Sequence, residues 1–361
     1  MSYIVPIGPY HPALEEPIHA KLYTEGEVIR DADVFVGYNH RGIEKLATER
    51  NAIQTLVLVE RVCGICSHSH AFTYAMCVES INGIEVPKRG QYIRVITAEL
   101  ERLHSHFLWL GIACHIIGHD SMFMHIWDER ELVMDLLEKM TGNRVNYAMV
   151  TIGGARRDIS DELRRELLAA CDKLKAPLDR ITEIALTDKT IAMRTKGVGV
   201  LTREDAISFG ATGGTGRAAG WACDVRKRHP YAVYGKVDFE EVLFTEGDCL
   251  ARYMVRMREI EQSMHIIEQL IDNIPEGEYQ LKMKPVIRIP EGSYYAAVEG
   301  SRGEFGVFIE SRGDKFPYRM KFRSTGLPLV SCLETIARGT KIADLIAIGG
   351  TLDYVVPDID R

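Results

Sequence analysis

The sequence predicts an α+β protein: a central bundle of long helices with a small N-terminal β-region and short C-terminal strands. Three observations carry this. Apolar residues recur at helical spacing through the middle of the chain, as in Ile93, Ile96, Leu100, Leu103, Phe107 and Leu110. Short alternating segments, bounded by proline and glycine, lie toward both ends. Repeats, low-complexity runs and linkers are absent, so residues 1–361 are expected to form one domain. A chain of 361 residues, 46% hydrophobic and 26% charged, has the length and composition for a large core.

Taken in order, residues 3–40 read as β-structure interrupted by a loop, Gly8-Pro9-Tyr10-His11-Pro12-Ala13-Leu14-Glu15-Glu16-Pro17. Proline density makes that loop stiff, able to present His11, Glu15 and Glu16 to a site. Segments 18–22 and 32–36 suggest a hairpin. From residue 41 to about 185 the pattern is helical: 43–59, 67–81, a long segment after Pro87, 128–140 closed by Gly142-Asn143, and a helix from the Ser160 N-cap to about 175. The glycine-rich run 210–220 lacks both the Gly-Lys-Ser/Thr ending and the strand-to-helix setting of a phosphate loop, so it reads as tight packing. Residues 247–273 form a helix with Tyr253, Met257, Ile260, Met264, Ile267 and Leu270 on one face. Strands return at 294–298, 306–309 and 318–322, followed by a short apolar helix at 341–349.

Net charge is −7, and no basic stripe with interleaved aromatics occurs, so nucleic acid is not an expected partner. Residues 1–6 carry neither a basic nor an apolar signal region, so no signal peptide is expected there. The most apolar run, 107–117, is too short to span a bilayer. Six of the eight cysteines, Cys77, Cys114, Cys171, Cys223, Cys249 and Cys332, are widely separated, as reduced thiols of a cytoplasmic protein would be. The same spacing argues against an iron–sulfur cluster held within this chain.

The remaining two, Cys63 and Cys66, form the one closely spaced pair, in Arg61-Val62-Cys63-Gly64-Ile65-Cys66-Ser67-His68-Ser69-His70. Arg61 places a cation beside the pair, and the helix expected from residue 67 puts its N-terminus at Cys66; both favour thiolate. Four readings stay open on the residues alone: a redox dithiol, half of a zinc site, two buried small residues, or half of a dinuclear metal site or its descendant. His104 and His106 point to different faces of the helix after Pro87. His115 and His119, one turn apart, lack the His-Glu-x-x-His signature and read as ordinary hydrogen-bonded histidines.

Arg61-x-Cys63-Gly64-x-Cys66-x-x-x-His70 resembles the N-terminal signature of nickel–iron hydrogenase large subunits. The loop from Gly8 to Pro17, Glu101-Arg102-Leu103-His104-Ser105-His106, Thr141-Gly142-Asn143-Arg144-Val145-Asn146-Tyr147, Thr151-Ile152-Gly153-Gly154 and Ser301-Arg302-Gly303-Glu304 resemble blocks of the membrane-bound energy-converting hydrogenases. With Gly213-Gly214, Arg217-Ala218, Asp224-Val225-Arg226 and Pro230-Tyr231, they are also similar to the quinone-site subunit of respiratory complex I. The resemblance covers nearly the whole chain and implies a hydrogenase large-subunit-like fold.

Two departures define what the resemblance implies for function. Hydrogenases complete a nickel–iron site with a second cysteine pair near the C-terminus; here Val355 and Asp358 stand there. Valine cannot ligate, and aspartate is a hard ligand, so no nickel–iron centre and no hydrogenase activity are expected. The ending 352–361 is instead similar to that of complex I, yet Gly64 replaces the quinone-headgroup tyrosine of that family. The combination resembles the large subunits of the membrane-bound sulfane sulfur reductase complexes of sulfur-reducing archaea. That resemblance implies a subunit of an ion-pumping complex on the cytoplasmic face of the cell membrane. Ferredoxin would be the electron donor, with 4Fe-4S clusters in partner subunits and none in this chain, and polysulfide the acceptor. Implied partners are a small iron–sulfur subunit with the proximal cluster, other hydrophilic-arm subunits and membrane ion-translocating subunits. The implied catalytic residues are Cys63, Cys66, His11, Asp358, Arg61, His70, Glu16 and Arg323. Quinone or methanophenazine reduction, and a non-catalytic structural role, are the alternatives.

Overall fold

The computed structural model of the chain describes residues 2–12, 14 and 16–361; Glu15, expected to present a carboxylate, lies outside them. The N-terminal region is an antiparallel sheet of β1 (Ser2–Ile7), β2 (His19–Glu25) and β3 (Val28–Phe35), with β2 central. Alternate β2 residues Ala20, Leu22 and Thr24 are buried, as expected of a sheet with one face on the core. The proline-rich loop joins β1 to β2. It closes on itself at Gly8, where an added Cβ would lie 2.0 Å from the Ile18 carbonyl oxygen.

Segment 43–59 is two helices, α1 (Ile43–Ala47) and α2 (Ala52–Val59), because Asn51 and Gln54 form a capping box that restarts the helix. α3 (Ser67–Asn82), α4 (Lys88–Ile116) and α5 (Asp120–Thr141) follow. α5 begins eight residues before the expected 128, because Met122 and Ile126 continue its buried stripe. A small hairpin of β4 (Val150–Thr151) and β5 (Gly154–Ala155) precedes α6 (Asp161–Thr187), which Ser160 caps. α6 runs past Pro177, beyond the end expected from the sequence; buried Leu178, Ile181 and Ala185 hold the second half against the bundle despite the missing N–H.

The short helices α7 (Lys189–Thr195), α8 (Arg203–Phe209), α9 (Gly213–Ala218) and α10 (Val225–Arg228) lead to the long α11 (Cys249–Asn273). A second antiparallel sheet contains β6 (Gly292–Gly300), β7 (Gly303–Ser311) and β8 (Arg319–Arg323). α12 (Gly326–Ile336), α13 (Ile342–Leu352) and α14 (Val356–Asp360) end the described chain. α12 and α14 are absent from the sequence prediction; prolines in their first turns, Pro328 and Pro357, resemble loop punctuation but are tolerated there.

α4 is the axis of the bundle, packed against α3, α5, α11 and α13. It is buried on every side yet carries Glu99, Glu101, Arg102, His104 and His106 inward. Such groups persist inside only when paired. Glu99 meets Arg226 at 3.0 Å and Arg102 at 3.3 Å, and His106 Nε2 lies 2.8 Å from Glu259. Arg217 bridges Glu259 at 2.5 Å and Glu299 at 2.7 Å. These pairs fasten the end of β6 to the bundle. A second core packs the N-terminal sheet residues Ile7, Leu22 and Ile29 with Leu333, Leu345 and Ile348 of the C-terminal helices. The glycine-rich run is buried packing, as expected: a Cβ at Gly213, whose φ is +72°, would lie 2.2 Å from the Arg302 carbonyl oxygen. No helix among the described residues is long and apolar enough to cross a membrane.

Candidate functional site

Cys63 lies in the turn between α2 and α3, and Cys66 is the residue before the first turn of α3. The N-terminus of α3 is capped from outside. The Glu101 carboxylate, on α4, accepts from His68 N at 2.6 Å, Ser69 N at 3.0 Å and Ser69 Oγ at 2.5 Å. The Cys66 side chain is therefore free of capping and turns inward. One turn on, His70 Nε2 lies 3.5 Å from Cys66 Sγ. Both sulfurs and a His70 ring nitrogen lie within 4.8 Å of one another. Phe305 clamps the imidazole edge-on at 4.0 Å.

Both thiols are buried against Val355 and Ile65. A hydrogen bond from Cys66 holds the Cys63 thiol well below its usual range, and His70 and Arg302 add to this against the opposing effect of burial. The same bond, with burial, drives Cys66 upward. The two thiols thus titrate as a pair, with the first ionisation favoured on Cys63 and the remaining proton held on Cys66.

The cation facing the thiols is Arg302, in the tight turn between β6 and β7, rather than Arg61. Burial works against the Arg302 charge, but Asp353 and the two sulfurs outweigh it and hold the guanidinium above its usual range. Arg302 Nε donates to Asp353 Oδ1 at 2.8 Å, and Asp353 Oδ2 takes Arg256 at 3.2 Å. Arg61 instead follows solvent, its side chain 48% exposed, and pairs with its neighbour Glu60 at 2.9 Å. Arg302 belongs to a motif visible in the sequence; what the sequence hides is that the β6–β7 turn folds over the helix start.

The other expected residues separate. Asp358 Oδ1 is 3.9 Å from His70 Nε2 and has no hydrogen-bond partner among the described residues. Its Oδ2 is committed, accepting from Ser324 Oγ at 2.7 Å, Thr325 N at 2.9 Å and Thr325 Oγ1 at 3.1 Å at the start of α12. Glu16 accepts from Val356 N, and its charge reaches Arg302. His11 is exposed in the β1–β2 loop and is not among the residues lining the thiol pocket. Arg323 is also elsewhere: it donates to the Gly210 carbonyl at 3.0 Å and to the Glu304 carbonyl, because the alternation of β8 turns it away from buried Phe322. His115 and His119 do not converge; His115 Nδ1 pairs with Asp120 at 2.7 Å and His119 Nε2 lies 3.9 Å from Asp188.

Two further groups near the thiols are absent from the residues expected to be functional. Tyr147 is 1% exposed and its hydroxyl has no partner among the described residues. Burial raises its pKa well above the usual range, and the charges of Glu101, Cys66 and Cys63 add to this. Burial pushes Glu101 up to about 7 from 4.5, against the three hydrogen bonds that favour its carboxylate. A carboxyl that ionises later in the folded state than in the unfolded one contributes stability below the unfolded value. That contribution is lost as pH rises through about 7. E101Q removes the dependence. The stability of the wild type relative to E101Q is expected to fall by about 3 kcal/mol between pH 4.5 and 8. Urea unfolding of both across that range checks it; a flat difference would contradict the assignment.

The donors do not fit a nickel–iron centre. Two thiols and His70 converge, but the opposite side offers the Val355 methyls and a carboxylate already holding α12. The space between Cys66, His70, Arg302, Phe305 and Thr325 is about 10 Å³, room for one water at most. Admitting any larger acceptor requires these walls to part.

Residues 117–361 match the family of the respiratory-chain NADH dehydrogenase, 49 Kd subunit, and residues 41–111 match nickel-dependent hydrogenase. The C/D subunit of NADH-quinone oxidoreductase from Phocaeicola vulgatus is 57% identical over 360 residues, spanning 100% of this chain and 69% of that one. Carbon monoxide-induced hydrogenase of Rhodospirillum rubrum is 40% identical over 361 residues, 100% of this chain and 99% of that one. A solved structure of the membrane-bound sulfane sulfur reductase, an archaeal respiratory membrane complex, superposes with a TM-score of 0.95 at 35% identity, covering 100% of this chain and 98% of that one.

Proposed function

This chain belongs to the family that joins the 49 Kd subunit of respiratory-chain NADH dehydrogenase with the nickel–iron hydrogenase large subunits, and from that premise we propose that it is the site-bearing subunit of a membrane-bound, ion-pumping complex that reduces sulfane sulfur. One observation carries the reading: two buried, adjacent thiols beside His70 and Arg302, with a non-ligating valine where a second sulfur pair would be. Such a pair suits sulfur exchange rather than metal chemistry.

In the proposed cycle the Cys63 thiolate attacks a sulfane sulfur, forming a Cys63 persulfide and expelling a shortened polysulfide. Arg302 holds the anionic chain. Cys66 then attacks the inner sulfur, closes the Cys63–Cys66 disulfide and releases hydrosulfide, which carries away the Cys66 proton. Two electrons and one proton restore the thiolate and the thiol. The electrons come from 4Fe-4S clusters of a small partner protein in the same complex, fed by reduced ferredoxin at the cytoplasmic face. His70, whose Nε2 lies 3.5 Å from Cys66 Sγ, is the group nearest the sulfurs to resupply the proton.

Quinone or methanophenazine reduction is the second reading, favoured by the name of the 57% identical relative. An apolar cleft walled by Leu14, Trp109 and Leu345 also leads to Glu16 and Asp353. The intact complex with reduced ferredoxin discriminates. The first reading predicts sulfide from polysulfide without hydrogen release; faster reduction of a lipid quinone would displace it.

A further inference from the structure

A cleft of about 490 Å³ opens between Arg203, Arg228, His229 and Arg323, around half-buried Trp221, with Glu304 its one acidic residue. Arg323 is pinned by the Gly210 and Glu304 carbonyls and lies 3.8 Å from the Glu304 carboxylate. Arg203 and Arg228 are exposed and pair with no carboxylate among the described residues. A chain of net charge −7 has acids to spare, so cations left unpaired around one concavity stand out.

We propose that this cleft docks an acidic polypeptide segment of another subunit of the complex. The proposal rests on the reading that the chain works in a multi-subunit assembly, but not on which acceptor that assembly reduces. A phosphate group fits less well, because the nearby backbone N–H groups are already used. Thr212 N donates to Gly210 O at 3.0 Å, Gly220 N to Arg217 O at 3.2 Å and Trp221 N to Gly216 O at 3.0 Å. The donors on offer are long side chains spread around a wide mouth. They match carboxylates strung along an extended segment, with Trp221 giving that segment an apolar contact.

The cleft is also close to the thiols through the chain itself. Thr212 Oγ1, in its wall, accepts from Glu304 N at 3.0 Å, and Gly213 packs on the Arg302 backbone. A segment seated there would brace the turn that aims Arg302.

The test titrates the full chain with an acetylated oligoglutamate of roughly eight residues, followed by calorimetry, with oligolysine and inorganic pyrophosphate as comparators. Oligoglutamate is expected to bind at low salt, at least about tenfold more weakly in R203E/R228E and also more weakly in 0.5 M salt. R203A/R228A, expected to be intermediate, guards against a folding defect, and thermal melts of both variants are expected to match the wild type. No binding, equal binding by the wild type and both variants, or tighter binding of pyrophosphate than of the peptide would overturn the proposal. None of these results depends on the sulfur chemistry, so the two readings fail separately.

Discussion

Serine in place of Cys63 is expected to lower sulfide release from polysulfide by at least about 10³-fold while the complex still assembles. The nucleophile in the proposed cycle is the thiolate stabilised by Cys66, His70 and Arg302, and a serine hydroxyl does not ionise in that setting. C66S is expected to behave differently. The first attack proceeds, the persulfide forms on Cys63, and turnover stops because nothing resolves it. The two variants thus separate attack from resolution, which a merely structural role for the pair would not do. Turnover of C63S at the wild-type rate would show that electrons reach polysulfide directly from a partner cluster, with the thiols only lining the pocket.

The largest effect on stability is expected at Asp353. It is the sole carboxylate hydrogen-bonded to both Arg256 and Arg302 among the described residues, and all three are buried. Asp353 also ends α13 with φ of 60°, a left-handed position that asparagine tolerates as well. D353N therefore leaves the backbone unstrained and removes only the charge, stranding two guanidiniums. A loss of about 3–5 kcal/mol is expected, read from the shift in the urea midpoint. Alkylation of Cys63 at neutral pH should slow as Arg302 loosens. A midpoint within 1 M of the wild type, where about 1–3 kcal/mol per molar is usual, would show that other groups compensate.

The helical centre was legible because its signals are local. The α4 apolar repeat, the Ser160 cap and the α11 stripe each need only neighbours in sequence. The convergence of Cys63, Cys66 and His70 was legible for the same reason, since they occupy one turn and the first turn of one helix. Arg302 was not, because its position depends on β6, β7 and the Glu299 ion pair, contacts some 200 residues away in sequence from α4. Arg61 was misplaced for the converse reason. Adjacency in sequence does not fix direction, and a flexible cation beside a surface turn gains more from water than from a buried sulfur. Asp358, expected to bound one cavity with the two thiols, lies 3.9 Å from His70, but its commitment to the start of α12 cannot be read from a chain in which α12 itself is unforeseen.

In the proposed cycle sulfur passes covalently through Cys63. Mass spectrometry of the chain, isolated in its complex after exposure to polysulfide without reductant, tests it most directly. One added sulfur is expected on the Cys63 peptide of C66S, and a Cys63–Cys66 disulfide in the wild type. Unmodified thiols in a complex that then turns over normally, or nickel and iron stoichiometric with the chain, would contradict it.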